Sequence, residues 1–339
     1  PRSKRSDFAK KGPIFRWAPF FVPTLHQGSR FVPNRPEISV CIATFRRPQG
    51  LARLLAALAQ QSTTSEFTFE VVVVDNDYLQ SAQSVVEDSP LKVRYFSEPI
   101  QNIASARNRT VEEARGDWLA FIDDDEMPPP DWLQTFWKLT QELPADGYVA
   151  NVTPRAEGPV PSWMDLKLLY SQRRPDRQRL KINGGATNNA FVRKESVQGL
   201  RFDTKLGLTG GADTQFFAQA IRRGCVFYSC AQPEVIDFIP PSRLSLGWLL
   251  RRNFRCGLNA GATSGRMSLA RALASVVHLG LRLGFALTAW PKGPSQQVCH
   301  LCHVAFHAGR IWGVLTGKKF EVYRTRGATS STAATNSAT

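Results

Sequence analysis

Cysteine is scarce and unpatterned in this chain: six residues among 339, with no regular spacing. That excludes a disulfide framework and points to a reducing, cytosol-facing compartment. Acidic residues are the next shortage. Asp and Glu number 28 against 43 Lys and Arg, a net charge of +15, so nucleic acid, anionic lipid headgroups or a phosphorylated substrate are natural partners. No internal repeat is evident, which excludes a solenoid. The longest apolar run, SLARALASVVHLGLRLGFALTAW, is not free of charge: Arg271, His278 and Arg282 interrupt it. Such groups are costly in hydrocarbon, so the run is expected to lie in a membrane interface rather than to span. With 42% hydrophobic residues, the chain is long and apolar enough to bury one large core.

What is present centres on Trp118 to Trp132, WLAFIDDDEMPPPDW, an apolar strand that ends in four consecutive acids. In an extended chain alternate side chains share a face, so Asp123 and Asp125 are expected to point one way and Asp124 the other. Two oxygen ligands on one face, with positions left for phosphate oxygens and water, suit Mg2+ or Mn2+. A solvated acidic turn is the plain alternative.

Around this stretch, strands and helices alternate. ISVCIATF, FEVVVVDND and LKVRYFSEP are strands; RRPQGLARLLAALAQQ, Leu79 to Asp88 and IASARNRTVEEARG are helices. Continuous Val and Ile runs between helices imply an α/β, Rossmann-like, mainly parallel sheet covered on both faces. Thr44, Asp75 and Asp123 to Asp125 all fall at strand carboxyl ends, where the ligands of such sheets sit. A nucleotide-type ligand fits that crevice.

ISVCIATFRRPQGL, VVVVDND, IASARNR and GDWLAFIDDDEMPPPDWL, in this order and spacing, resemble the inverting family 2 glycosyltransferases of GT-A fold. The resemblance implies that Thr44 and Asp75 contact the base of a nucleotide-sugar donor, that Arg107 lies near the nucleotide, and that Asp123, Asp124 and Asp125 serve ribose and metal, with Asp123 and Asp125 as the ligands of Mg2+ or Mn2+. Asn76 and Asp77 stand where many relatives have Asp and Gly, which bears on the choice of base.

In the second half, Asp213 follows Gly210 and Gly211 at the start of an amphipathic stretch. By pattern it is a first-turn acid at a helix N-terminus; the resemblance makes it the catalytic base, with Ala212 where relatives carry Glu. Asn188 and Asn189 are read either as contacts to acceptor or donor hydroxyls or as loop-capping amides. Arg252 and Arg255 either clamp the diphosphate or form the basic face of an amphipathic helix on lipid. The Gln-x-x-Arg-Trp form of processive polymerases is missing, which favours one sugar per encounter. Cys299, Cys302, His303 and His307 have spacing that zinc accepts, and equally that of small core residues on a helix.

The expected organisation is a basic, aromatic arm over residues 1–36, a GT-A domain over 37–257, an amphipathic, membrane-associating helical region over 258–326 and a disordered tail over 327–339. The expected activity is transfer of one sugar from a nucleotide-sugar donor to a saccharide or lipid-linked acceptor. It takes place peripherally at the anionic cytoplasmic face of the inner membrane, without nucleic acid. The competing classes are a basic nucleic-acid-binding protein and a catalytically silent adaptor on the same fold.

Overall fold

Residue alternation along the first strands decides the architecture. In β1 (Ile38–Thr44), Ile38, Val40 and Ile42 join one core while Cys41 joins another; in β4 (Trp118–Phe121), Trp118 and Ala120 part from Leu119 and Phe121 in the same way. Both faces of the sheet are therefore covered, as continuous apolar strands require. The computed structural model describes residues 36–62, 66–171, 180–262, 268–288 and 293–321. The tail and all but the last residue of the expected N-terminal arm lie outside them.

β1 pairs in parallel with β2 (Phe69–Asp75) and β4, and β2 with β3 (Val93–Ser97). The register sets Thr44 opposite Asp75 and Asp75 opposite Ser97, so the carboxyl ends of these strands share one edge. α1 (Pro48–Leu58) opens with proline at its first turn and buries Leu51, Leu54, Leu55 and Leu58, one face at helical spacing. The helix expected over Leu79 to Asp88 contracts to α2 (Gln83–Glu87), because the Asp75 carboxylate captures the amides of Asp77 and Ala82 and holds the intervening chain in a turn. α3 (Ile103–Glu113) is capped by Asn102, whose side chain accepts from the Ala104 and Ser105 amides.

The other half of the sheet is mixed. The order is β3-β2-β1-β4-β8-β6-β9-β5, with β8 (Ala190–Arg193) antiparallel to both β4 and β6 (Gly147–Ala156). β9 (Phe227–Ile239) runs parallel to β6 and antiparallel to β5 (Glu126–Met127) and β7 (Leu180–Lys181). α4 (Trp132–Glu142) and α6 (Ala212–Arg222) cover opposite faces through Trp132, Leu133 and Phe136, and through Phe216 and Phe217. α5 (Leu166–Tyr170) is a single short turn.

Three helices complete the described chain: α7 (Leu246–Ala262), α8 (Ser268–Thr288) and α9 (Pro294–Thr316). α7 and α9 meet glycine to glycine. A β-carbon on Gly257 would lie within 1.9 Å of Phe306 O, and one on Gly309 within 2.0 Å of Phe254 O. The backbones touch, as small-residue seams permit. The boundary expected at residue 257 falls inside α7, which continues unbroken to Ala262. Among the described residues no helix is long and apolar enough to cross a membrane.

Candidate active site

A cleft of about 300 Å³ opens at the carboxyl edge of the parallel strands. Its chemistry is a lattice of opposite charges: Asp123, Asp124, Asp125, Glu126 and Asp237 face Arg47, Arg107, Arg243 and Arg252. Strand register explains how they meet. Cys41 lies opposite Phe121, so three residues further on Thr44 comes level with Asp124, and the Thr44 hydroxyl donates to Asp124 Oδ2 at 2.8 Å. β5 sets Glu126 opposite Asp237 of β9, which brings a fifth carboxylate to the same floor.

The expected alternation of the acids does not hold. β4 ends at Phe121, and Asp123 to Glu126 form a turn closed by Glu126 N donating to Asp123 O at 3.1 Å. The Asp123 amide in turn donates to Glu126 Oε2 at 2.9 Å. Curling the backbone brings all four acids to the cleft instead of splitting them between two faces. Asp123 accepts from Arg107 Nη2 at 3.1 Å. Arg47 Nη1 donates to both Asp124 Oδ1, at 2.8 Å, and Asp125 Oδ2, at 2.7 Å. Arg243 Nη1 stands 3.8 Å from Asp125. Gly50, in the first turn of α1, lets that helix press on the turn: a β-carbon there would lie 2.6 Å from Asp124 O.

The acids are short of positive charge for their burial. Desolvation pushes Asp124 up to about 6 despite Arg47, with Asp125 adding repulsion. Asp237 is pushed up to about 7 by burial and by the charges of Asp125 and Asp123, against the pull of Arg243 and Arg252. Burial likewise raises Asp125 and raises Glu126 well above the ordinary carboxylate range. These are hard oxygen donors with no thiolate or imidazole among them, a donor set of the kind that suits Mg2+ or Mn2+. Among the described residues no group of three or more His, Cys, Asp or Glu is arranged to hold a metal unaided. Asp123 and Asp125 by themselves could supply only part of a cation's shell.

The other expected site residues divide. Arg252 and Asn188 line the cleft, and Asn188 Oδ1 is buried there without a hydrogen-bond partner among the described residues. Thr44 and Asp75 are buried and do not line it. The Asp75 carboxylate is engaged inside the fold, accepting from the Asp77 and Ala82 amides and from Tyr95 Oη at 3.1 Å. Asn76, one position on, does line the cleft, while its amide ties down the loop after β3 through Glu98 O, Ile100 O and the Asn102 amide. Asn189 is fully buried with φ 56 and acts as an internal brace. The Arg255 guanidinium lies over the Phe320 ring at 5.7 Å, away from the cleft lining. Asp213 is half-buried in the first turn of α6, where its Oδ1 accepts from the Thr214 amide at 2.8 Å; it too stands outside the lining. Gly210 and Gly211 before it hold φ 85 and 93, a backbone that glycine adopts without penalty. Cys299, Cys302, His303 and His307 are all on α9, with Cys302 buried against Met164 and Leu249.

Three residues that matter here carry a faint sequence signal or none. Asp237 is one of two acids on β9, with Glu234 three residues before it, and Arg243 follows in the next loop. Arg47 precedes the proline that opens α1.

Residues 39–201 match the family model "Glycosyl transferase family 2". The chain is 32% identical over 315 residues to the succinoglycan biosynthesis protein ExoM of Rhizobium meliloti (strain 1021), spanning 88% of this chain and 100% of that protein. It is 24% identical to the chondroitin synthase of Escherichia coli over 61% of this chain and 35% of the synthase. Among solved structures, S. aureus TarS 1-349 in complex with UDP-GlcNAc aligns over 82% of this chain and 90% of that chain, at 15% identity and a TM-score of 0.46.

Proposed function

Since the chain belongs to glycosyl transferase family 2, and so is a glycosyltransferase of GT-A fold, we propose that it moves one sugar from a nucleotide-sugar donor to an acceptor hydroxyl, with inversion at the anomeric carbon. The observation that carries this is the cleft in which Asp123, Asp125 and Asp237 face Arg47, Arg107, Arg243 and Arg252. Carboxylates for a cation and guanidinium groups for phosphate oxygens, side by side, are what a nucleoside diphosphate requires. Similarity to a succinoglycan biosynthesis protein along the whole of that relative supports an exopolysaccharide intermediate, saccharide or lipid-linked, as acceptor. The apolar α8 supports a peripheral position at an anionic membrane surface on the cytoplasmic side.

Asp123 and Asp125 would hold Mg2+ or Mn2+, which when bound supplies charge neutralisation to the departing diphosphate. Arg107, Arg243 and Arg252 orient the phosphates. Asn188 offers its side-chain carbonyl, without a partner among the described residues, to a donor or acceptor hydroxyl. Asp213 takes the acceptor proton as the acceptor oxygen bonds to the anomeric carbon and the diphosphate leaves with the electrons of the broken bond.

Melting of the full chain with a panel of nucleotide sugars, with and without Mn2+, should single out one donor by a cation-dependent rise. With that donor, Asp213→Asn should bind normally and turn over at least roughly 100-fold more slowly. Transfer near the wild-type rate in Asp213→Asn would make Asp213 a structural acid, and a panel without any stabilising donor would sink the reading.

A further inference from the structure

Arg47 occupies Asp125, one of the two carboxylates assigned above to the cation. Its backbone is fixed on both sides. Arg46 holds φ 53, a left-handed conformation that costs a side-chain-bearing residue strain. A two-pronged pair pins it there, Nε to Asp77 Oδ2 at 3.1 Å and Nη2 to Asp77 Oδ1 at 3.2 Å. Pro48 follows at the start of α1. So directed, Arg47 Nη1 reaches Asp124 Oδ1 at 2.8 Å and Asp125 Oδ2 at 2.7 Å. Asp124 has Thr44 as a second donor at 2.8 Å. Asp125 leans on Arg47 more heavily, since Arg243 Nη1 is 3.8 Å away, beyond hydrogen-bonding distance. The Arg47 side chain is 40% exposed, so it can swing out without opening a core.

We propose that Arg47 is a displaceable counterion: it neutralises Asp124 and Asp125 until a nucleoside diphosphate arrives, then moves onto the phosphates and opens Asp125 to the divalent cation. This rests on the donor and metal assignments proposed above. A guanidinium meets a phosphate through two parallel hydrogen bonds, a better geometry than one nitrogen shared between two carboxylates. A cation arriving alone must compete with Arg47; a cation arriving with the nucleotide does not. The two ligands therefore bind with positive coupling, which is reciprocal by thermodynamic necessity.

Free Mn2+ counted by electron paramagnetic resonance tests this without turnover. The wild-type full chain should bind Mn2+ weakly alone and about 5- to 150-fold more tightly in the presence of UDP or, in a parallel series, GDP. Arg47→Gln should raise the affinity for Mn2+ alone by about 10-fold or more and shrink the nucleotide enhancement at least as much. Arg47→Met, which keeps the aliphatic stem, repeats the measurement in case the Gln variant melts early. Asp125→Asn placed on Arg47→Gln should cancel the gain. Affinity for Mn2+ alone that stays within about 2-fold of wild type, or falls, in both Arg47 variants would overturn the proposal while leaving the donor assignment standing. Failure of both nucleoside diphosphates to bind the wild type would overturn both together.

Discussion

The side-chain carbonyl of Asn189 accepts the indole N–H of Trp132 at 2.9 Å, and its amide donates to Asn151 O and Pro233 O at 2.7 Å each. Asn188, its neighbour, turns the other way, into the cleft. The two amides should therefore fail differently. Asn189→Ala strands a buried indole donor and two carbonyls, and should cost about 3 kcal/mol or more in urea unfolding. Asn188→Ala should melt close to wild type while weakening donor or acceptor binding up to about tenfold. Equal destabilisation by both substitutions would place both side chains in the framework.

Asp237 gives a pH dependence with a definite sign. Its carboxyl titrates at 3.8 when unperturbed and is pushed up to about 7 in the folded chain. The folded state thus holds this proton more tightly than the unfolded state, and the associated stability is fully present below about pH 4 and is lost as pH rises to about 7. Without divalent cations, Asp237→Asn should gain on wild type in melting temperature steadily across that window and then hold a constant lead. A difference independent of pH from 4 to 8 would mean that Asp237 is not carrying the strain.

Glycines in the terminal helices should separate sharply. At Gly309 the nearest obstacles to a β-carbon are backbone atoms of α7, Phe254 O at 2.0 Å and Leu258 N at 3.0 Å, which cannot rotate aside. At Gly280 of α8 nothing lies within 4 Å. Gly309→Ala should pry α9 from α7, exposing residues 293–321 to limited proteolysis. Gly280→Ala should be neutral or stabilising, by up to about 1 kcal/mol, from helix propensity alone. Protease resistance in Gly309→Ala would argue against the seam.

The outward face of α8 bears Leu273 at 62%, Val277 at 61% and Phe285 at 52% exposure, while Ser275 and Ala286 are buried. Anionic vesicles should bind the full chain, salt should release it, and Leu273→Glu with Val277→Glu should cut binding by at least about tenfold. Retention through alkaline carbonate would instead mean insertion, and absence of any binding would leave this face to some other partner.

The order of strands and helices was legible because apolar spacing and β-branched runs are local signals. So was the gathering of acids at one edge, since parallel strands end together. The direction of each acid was not. Alternation assumes an extended chain, and Asp123 to Glu126 curl; Thr44 and Asp75 stand at the expected edge, yet one hydroxyl is spent on Asp124 and the other carboxylate on a turn. Asp237 becomes meaningful only through its pairing with Glu126, a register between segments far apart in sequence. The same holds for the Asn pair, whose identical side chains are told apart by the partners that Trp132, Asn151 and Pro233 give Asn189 and by its φ of 56.

The closeness of Gly50 to Asp124 O bears on redesign. With α1 seated against the back of the acid turn at a distance that leaves no room for one methyl group, the acidic floor is a fixed datum and not an adjustable surface. Libraries that vary position 50 will be filled with chains that cannot close around the turn. Selectivity among donors is better sought on the walls, at Gln101 and Ile103, which line the cleft outside the acid turn.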